Sequence, residues 1–171
     1  DFPVLQDRKF LEDWINGNEE AYSGVNRQEL YYRYLYYDYL GRKSVTGSIT
    51  VDFRNSGSLD DRYTVIYGHN AGKSGVMFSD LVSFEDEEFF AQNRTAALYT
   101  ENGETELKLI TAAVVNGYSE EIFGINDILS GEKLNVEGAI KAIGEGAICG
   151  DAPADTGSER WVVLSTCYVT N

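Results

Sequence analysis

The stretch Tyr63-Thr64-Val65-Ile66-Tyr67-Gly68-His69-Asn70 reads as a β-strand that runs out into a glycine-marked loop. Its β-branched and aromatic residues suit a pleated surface packed against neighbours. Period two puts Tyr63, Val65 and Tyr67 on one face, and His69 continues that face just past the strand end. His69 is the one histidine of the chain. Any cysteine–histidine chemistry therefore uses this residue or none.

A second strand has the same design near the other end of the sequence. From Arg160 to Thr166 the alternation places Trp161, Val163, Ser165 and then Cys167 on one face. Two reactive side chains at strand ends, held by rigid elements, suit a catalytic site. A thiol attacks as thiolate, and an imidazole beside it can stabilise that anion or later protonate a leaving amine. The spacing fits ordinary structural roles equally well, with Cys167 as a small buried residue and His69 as a loop histidine. Composition alone does not choose between them.

Around these strands the sequence predicts a mainly β protein with peripheral helices. After Gly47, short runs rich in Val, Ile, Thr and Tyr alternate with Gly, Asn, Asp and Ser, the pattern of a β-barrel or sandwich. Further strands are predicted at 48–53, 95–99 and 106–115. Ser83-Phe84-Glu85-Asp86 offers a capping-box start for a short helix through Phe89 and Phe90. Asn135 opens another, because Val136, Ile140 and Ile143 recur at helical spacing before Gly144 and Gly146. Near the start, Phe10, Leu11, Trp14 and Ile15 predict a short amphipathic helix stopped by Gly17. The tyrosine-rich stretch 27–40 is read as helix, and 150–157 as loop.

The chain of 171 residues fits one domain, and its 43% hydrophobic content is enough to form a substantial core. The net charge of −14, with no long Lys/Arg run, argues against nucleic acid and anionic membrane partners. Glu85-Asp86-Glu87-Glu88 reads as a solvated face. No stretch approaches the roughly 18 apolar residues of a membrane span. The start at Asp1 reads as that of a processed or partial chain, so targeting signals decide nothing.

Four rival chemistries are weaker. Gly68 to Ser74 resembles a phosphate-binding Gly-x-x-x-x-Gly-Lys-Ser loop but is one residue short, and Gly75 is a poor continuation into a helix. A zinc site from Cys149, Cys167 and His69 lacks Cys-x-x-Cys spacing; Cys149 reads as a core or loop thiol. A papain-like order is disfavoured because the histidine precedes the cysteine here. A noncatalytic domain binding a peptide or glycan through the tyrosines of 31–39 is the alternative from a different class.

Beyond spacing, the residues resemble a family. Tyr63-Thr64-Val65-Ile66-Tyr67-Gly68-His69-Asn70, followed by Gly75-Val76-Met77-Phe78 and Leu81, is similar to the Ile-Tyr-Gly-His-Asn…Gly-x-Met-Phe-x-x-Leu block of class B sortases. Val163-Leu164-Ser165-Thr166-Cys167 resembles their Leu-Ser-Thr-Cys strand. Asp1-Phe2-Pro3-Val4-Leu5-Gln6, Tyr34-Leu35, Gly47-Ser48-Ile49 with Asp52, and Asp86-Glu87-Glu88-Phe89-Phe90 follow the family's order. The resemblance covers nearly the whole chain.

It implies a closed sortase-type β-barrel with peripheral helices, and a transpeptidase of the cysteine peptidase class at the cell surface of a Gram-positive bacterium. Its substrates would be a C-terminal LPXTG- or NPXTN-like sorting signal, cut at the Thr carbonyl through a thioester, and an amine acceptor from a cell-wall cross-bridge or a pilin lysine. Carried over by motif, Cys167 is the nucleophile and His69 the acid/base, while Tyr67, Ser165, Thr166 and Leu35 line the substrate groove. No cofactor, metal or nucleic acid is implied, and the membrane anchor is expected outside this stretch. Two departures stand out. Residues 7–33 look like a helical insertion. The family's arginine on the strand after the cysteine has no counterpart before Asn171, so the last barrel strand is expected to be missing. Arg160 lies seven positions before Cys167, roughly 23 Å away at about 3.3 Å per residue, too far to replace it.

Overall fold

The computed structural model describes residues 4–6, 33–124 and 135–167. The helix expected around Trp14, the first half of the tyrosine-rich stretch and nearly all of the expected 7–33 insertion lie outside the described residues. The described residues form eight strands: β1 (Val4–Leu5), β2 (Ile49–Val51), β3 (Tyr63–Tyr67), β4 (Thr95–Thr100), β5 (Gly103–Lys108), β6 (Thr111–Ala113), β7 (Ala147–Gly150) and β8 (Trp161–Ser165). Among the described residues, no helix is long and apolar enough to cross a membrane. The chain forms two compact units. The first comprises Asp1–Gly57, Thr64–Asp80 and Val162–Cys167, and the second Ser58–Tyr63, Leu81–Trp161 and Tyr168–Asn171.

The first unit is organised by a four-stranded sheet in the order β1-β2-β3-β8. Strand β1 pairs parallel to β2, with Val4 opposite Ile49, and β2 pairs antiparallel to β3, with Thr50 opposite Tyr67. All five residues of β3 are buried. The period-two pattern read from the sequence thus has both of its faces covered, as in a central strand. Val65 and Ile66 are 2% and 3% exposed, and each such burial is worth about 1.5–3 kcal/mol.

Strand β8 runs parallel to β3. The Trp161 N–H bonds the Arg62 carbonyl at 2.8 Å, and the Gly68 N–H bonds the Ser165 carbonyl at 3.0 Å. In a parallel ladder these bonds put Trp161 opposite Tyr63 and Ser165 opposite Tyr67. Both strands therefore finish at the same edge of the sheet.

Only a four-residue helix, Arg33–Tyr36, is found in the described part of the tyrosine-rich stretch. It cannot continue through Leu40, because the Asp38 carboxylate accepts the N–H groups of Leu40 and Arg42, each at 2.9 Å, and folds the chain into a turn.

The second unit holds the hairpin β4-β5 and a two-stranded antiparallel sheet, β6-β7. The expected strand 106–115 is two strands. Its chain changes partner at Leu109-Ile110, where the Leu109 N–H bonds Arg94 and the Ile110 carbonyl accepts from Asp151. The helix expected from Ser83 begins later: Ser79–Glu85 is a 3-10 segment, and Asp86 caps the helix Glu87–Gln92 by accepting the Phe89 N–H at 2.8 Å. The helix Val136–Glu145 forms as expected, with Asn135 as its cap. It buries Ala139 and Ile140. Strand β7, which carries Cys149, and the short helix Glu120–Phe123 are additions to the sequence reading.

Candidate active site at the shared edge of two parallel strands

His69 and Cys167 each stand two residues beyond the last β3-β8 pair, Tyr67 and Ser165. The Asn70 side-chain amide donates to the Cys167 carbonyl at 3.1 Å and so joins the two strand ends. His69 is half-buried and Cys167 is exposed.

The loop after β3 explains its own sequence. A Cβ on Gly68 would lie 2.7 Å from the Phe78 ring, so glycine lets that ring come close to the backbone beside His69. The Phe78 N–H donates to the His69 carbonyl at 3.0 Å. Ser79 is buried, donates to the Val76 carbonyl at 2.6 Å and accepts the Ala71 N–H at 2.9 Å. Asn70 also accepts the Gly72 N–H at 2.8 Å through Oδ1. The segment Gly72–Ser74 is a single 3-10 turn ended by Gly75 in the left-handed region. No helix starts there to receive a phosphate, so the nucleotide-loop alternative loses its structural basis.

The imidazole of His69 has two defined neighbours. Its Nε2 lies 2.7 Å from the Leu35 carbonyl, and the Tyr36 ring meets it edge-on with centroids 6.1 Å apart. Leu35 thus reaches the site through its main chain. Tyr67 is buried and donates its hydroxyl to the Asp52 carboxylate at 2.9 Å. Arg54 grips the same carboxylate with Nε and Nη2, both at 2.7 Å. This pair braces the end of β3, two residues before the histidine. Ser165 and Thr166 are half-buried, and the Thr166 hydroxyl finds no hydrogen-bond partner among the described residues.

Asn70 is a residue at this edge that the sequence analysis does not single out for a role. Its position directly after the histidine, in a loop that must pair with the cysteine strand, was the available signal. Four of the described arginines are already held by carboxylates. Arg62 and Arg94 are paired with Asp155 and Asp151 at 2.7 Å, Arg54 with Asp52, and Arg160 with Asp60 at 3.2 Å. Cys149 is a different kind of thiol: it is buried, donates to the Glu85 carbonyl at 3.3 Å, and burial pushes its pKa up, with nearby carboxylates adding to the effect.

A mainly β protein whose cysteine and sole histidine end neighbouring parallel strands is of the sortase type, and comparison with known proteins agrees. The chain is 30% identical over 134 residues to sortase B of Listeria monocytogenes, a match that covers 78% of this chain and 52% of that protein. It therefore spans about half the length of this curated relative. Among solved structures, a Streptococcus pyogenes class B sortase involved in pilus biogenesis superposes with a TM-score of 0.65 at 22% identity, covering 98% of this chain and 76% of the other. Sortase B of Clostridium perfringens gives 0.60 at 24% identity, covering 98% and 79%. No family model matches the chain. In sequence the chain is similar to a class B sortase, and in fold it is similar to several.

Proposed function

We propose that this protein is a cysteine transpeptidase acting on a C-terminal sorting signal of the LPXTG or NPXTN kind, with Cys167 as nucleophile and His69 as proton carrier. The observation that supports the reading is that His69 and Cys167 each follow the parallel pair Tyr67–Ser165 by two residues, with the Asn70 amide bonded to the Cys167 carbonyl. In the first half-reaction the Cys167 thiolate attacks the Thr carbonyl and the tetrahedral intermediate collapses. The C–N bond to the next residue breaks, and the departing amine takes a proton from the imidazolium of His69. In the second, an acceptor amine attacks the thioester and gives its proton to His69, and the thiolate leaves as a new amide forms. Tyr67, Ser165, Thr166 and Leu35 are assigned to the groove that holds the peptide.

The proposed setting is the outer surface of a Gram-positive cell, with a membrane anchor outside this stretch. The acceptor is an amine of a cell-wall cross-bridge or a pilin lysine; involvement of one structural relative in pilus biogenesis makes the latter worth including in assays.

Incubation with a sorting-signal peptide, followed by intact-mass measurement, tests the reading. The expected result is an acyl adduct on Cys167 that is absent from Cys167→Ala and strongly reduced in His69→Ala. Binding of the peptide with no adduct would instead point to a noncatalytic peptide-binding domain.

A further inference from the structure

The bond from His69 to the Leu35 carbonyl does more than hold the ring in place. A carbonyl oxygen only accepts, so Nε2 carries the proton in this 2.7 Å contact. The nitrogen left to exchange a proton is Nδ1. The carbonyls on either side of Leu35 are already engaged: Tyr34 accepts the Ser48 N–H at 2.7 Å, and Tyr36 accepts the Ser44 N–H at 2.9 Å. The Ser48 hydroxyl adds a bond to the Tyr37 carbonyl at 3.0 Å. Between these ties, at the end of a four-residue helix, the Leu35 carbonyl has no helical partner and turns to the imidazole.

Gly47 sets this arrangement. It sits at φ 54, and a Cβ there would run into the backbone carbonyl of Leu35. The segment can close on the Leu35 peptide because the residue facing it is glycine.

We propose that the Leu35 carbonyl, set by Gly47, is a positioning group that fixes His69 as its Nε2–H tautomer and makes Nδ1 the sole proton carrier of the site. The inference rests on the reading of His69 and Cys167 as the reacting pair. Leu35 exchanges no atoms with substrate. When Nδ1 takes a proton, the Nε2–H bond to Leu35 becomes charge-assisted and shorter-ranged in its geometry demands, so the ring keeps one orientation through both half-reactions. Leu35 and Gly47 are positioning residues, and they act through main-chain atoms.

With one histidine in the chain, nitrogen NMR on protein labelled in the imidazole reads a single ring. In the neutral form of the wild type, Nε2 is expected to be the protonated nitrogen and Nδ1 the bare one. Free histidine already leans that way, so the decisive measurement is the contrast with variants. In Gly47→Ala a second population protonated on Nδ1 is expected, with kcat for transpeptidation about 10- to 100-fold lower and KM for the peptide changed less than kcat. Ser48→Ala loosens the same segment without adding an atom; it should shift the ring signals in the same direction by less, and it serves if Gly47→Ala does not fold. A wild-type ring protonated on Nδ1, or variant spectra identical to wild type, would overturn the proposal. The two readings fail separately. An Nε2–H ring without an acyl adduct on Cys167 removes the catalytic reading and keeps the tautomer lock, whereas an adduct on a protein whose ring is protonated on Nδ1 does the reverse.

Discussion

The side-chain amide of Asn70 donates to the main-chain carbonyl of Cys167 at 3.1 Å, so the residue after the histidine holds the peptide of the cysteine. The same side chain accepts the Gly72 N–H through Oδ1 at 2.8 Å. One residue thereby joins the two strand ends and shapes the loop between them.

This double role can be split. Asn70→Asp keeps the acceptor for Gly72 and replaces the donor facing Cys167 with a carboxylate oxygen that a carbonyl repels. Asn70→Ala loses both bonds. A typical hydrogen bond contributes about 1 kcal/mol, so either variant should stay folded. We expect thioester formation to drop by about tenfold in Asn70→Asp, an effect of about 1.4 kcal/mol on the barrier. Single-turnover acylation measures it. If the Asp variant acylates at the wild-type rate, the donor to Cys167 has no part in placing the thiol.

Gly68 makes a different kind of contribution, through space that stays empty. A methyl group at this position would sit 2.7 Å from Phe78 Cγ and Cδ2, inside contact distance. Gly68→Ala is expected to destabilise the protein by about 1–3 kcal/mol, the usual range for overpacking. Urea midpoints give the value. Adding Phe78→Ala should restore part of the Gly68→Ala loss, because the clash disappears with the ring; strictly additive losses would show that the two residues do not compete for the same volume.

Such contacts also show how much of this molecule the sequence made legible. Strands β3 and β8 could be read because their β-branched and aromatic residues fit a strand locally, and the positions of His69 and Cys167 just past their ends followed from period two. The parallel pairing of β3 with β8, which brings their ends to one edge of the sheet, is a tertiary fact that no local pattern carries. The run 106–115 looked like one strand because nothing in Leu109-Ile110 breaks β propensity; the break comes from distant partners, Arg94 and Asp151. Ser83 fitted the start of a capping box, but the segment around it winds as a 3-10 helix and the α-helix begins after Asp86 instead. Residues 147–150 gave too short a signal to stand as a strand until β6 supplied a partner.

Acid should weaken the fold through aspartates whose charged form the native state favours. Hydrogen bonds from Arg62, and then from Trp161, hold the Asp155 pKa below its ordinary value. Arg94 does the same for Asp151. Asp38 is lowered chiefly by the Arg42 backbone N–H and then by its guanidinium. A carboxyl group lowered in the folded state contributes stability above its unfolded pKa, about 3.9 for Asp. That contribution is lost as pH falls through the lower folded value. We therefore expect the urea midpoint to decline below about pH 4, and the gap between wild type and Asp155→Asn to narrow over the same range. A gap independent of pH would mean that the charge of Asp155 contributes nothing to folding.

The two cysteines should separate cleanly by reactivity. Cys149 is 7% exposed, its pKa is raised by burial, and its thiol donates to the Glu85 carbonyl. Each of these keeps it protonated or out of reach, and only a thiolate in contact with solvent is alkylated at a useful rate. Cys167 is exposed at the strand end. A single equivalent of iodoacetamide near neutral pH should therefore modify Cys167 in the folded protein, with Cys149 following only when urea opens the second unit. Peptide mapping by mass spectrometry gives both rates. The comparison also bears on mechanism: if His69 supports the thiolate, His69→Ala should slow alkylation of Cys167 and leave that of Cys149 unchanged. Equal slowing at both thiols would mean that the variant acts by altering the fold, and no change at either would mean that the imidazole does not assist the sulfur at all.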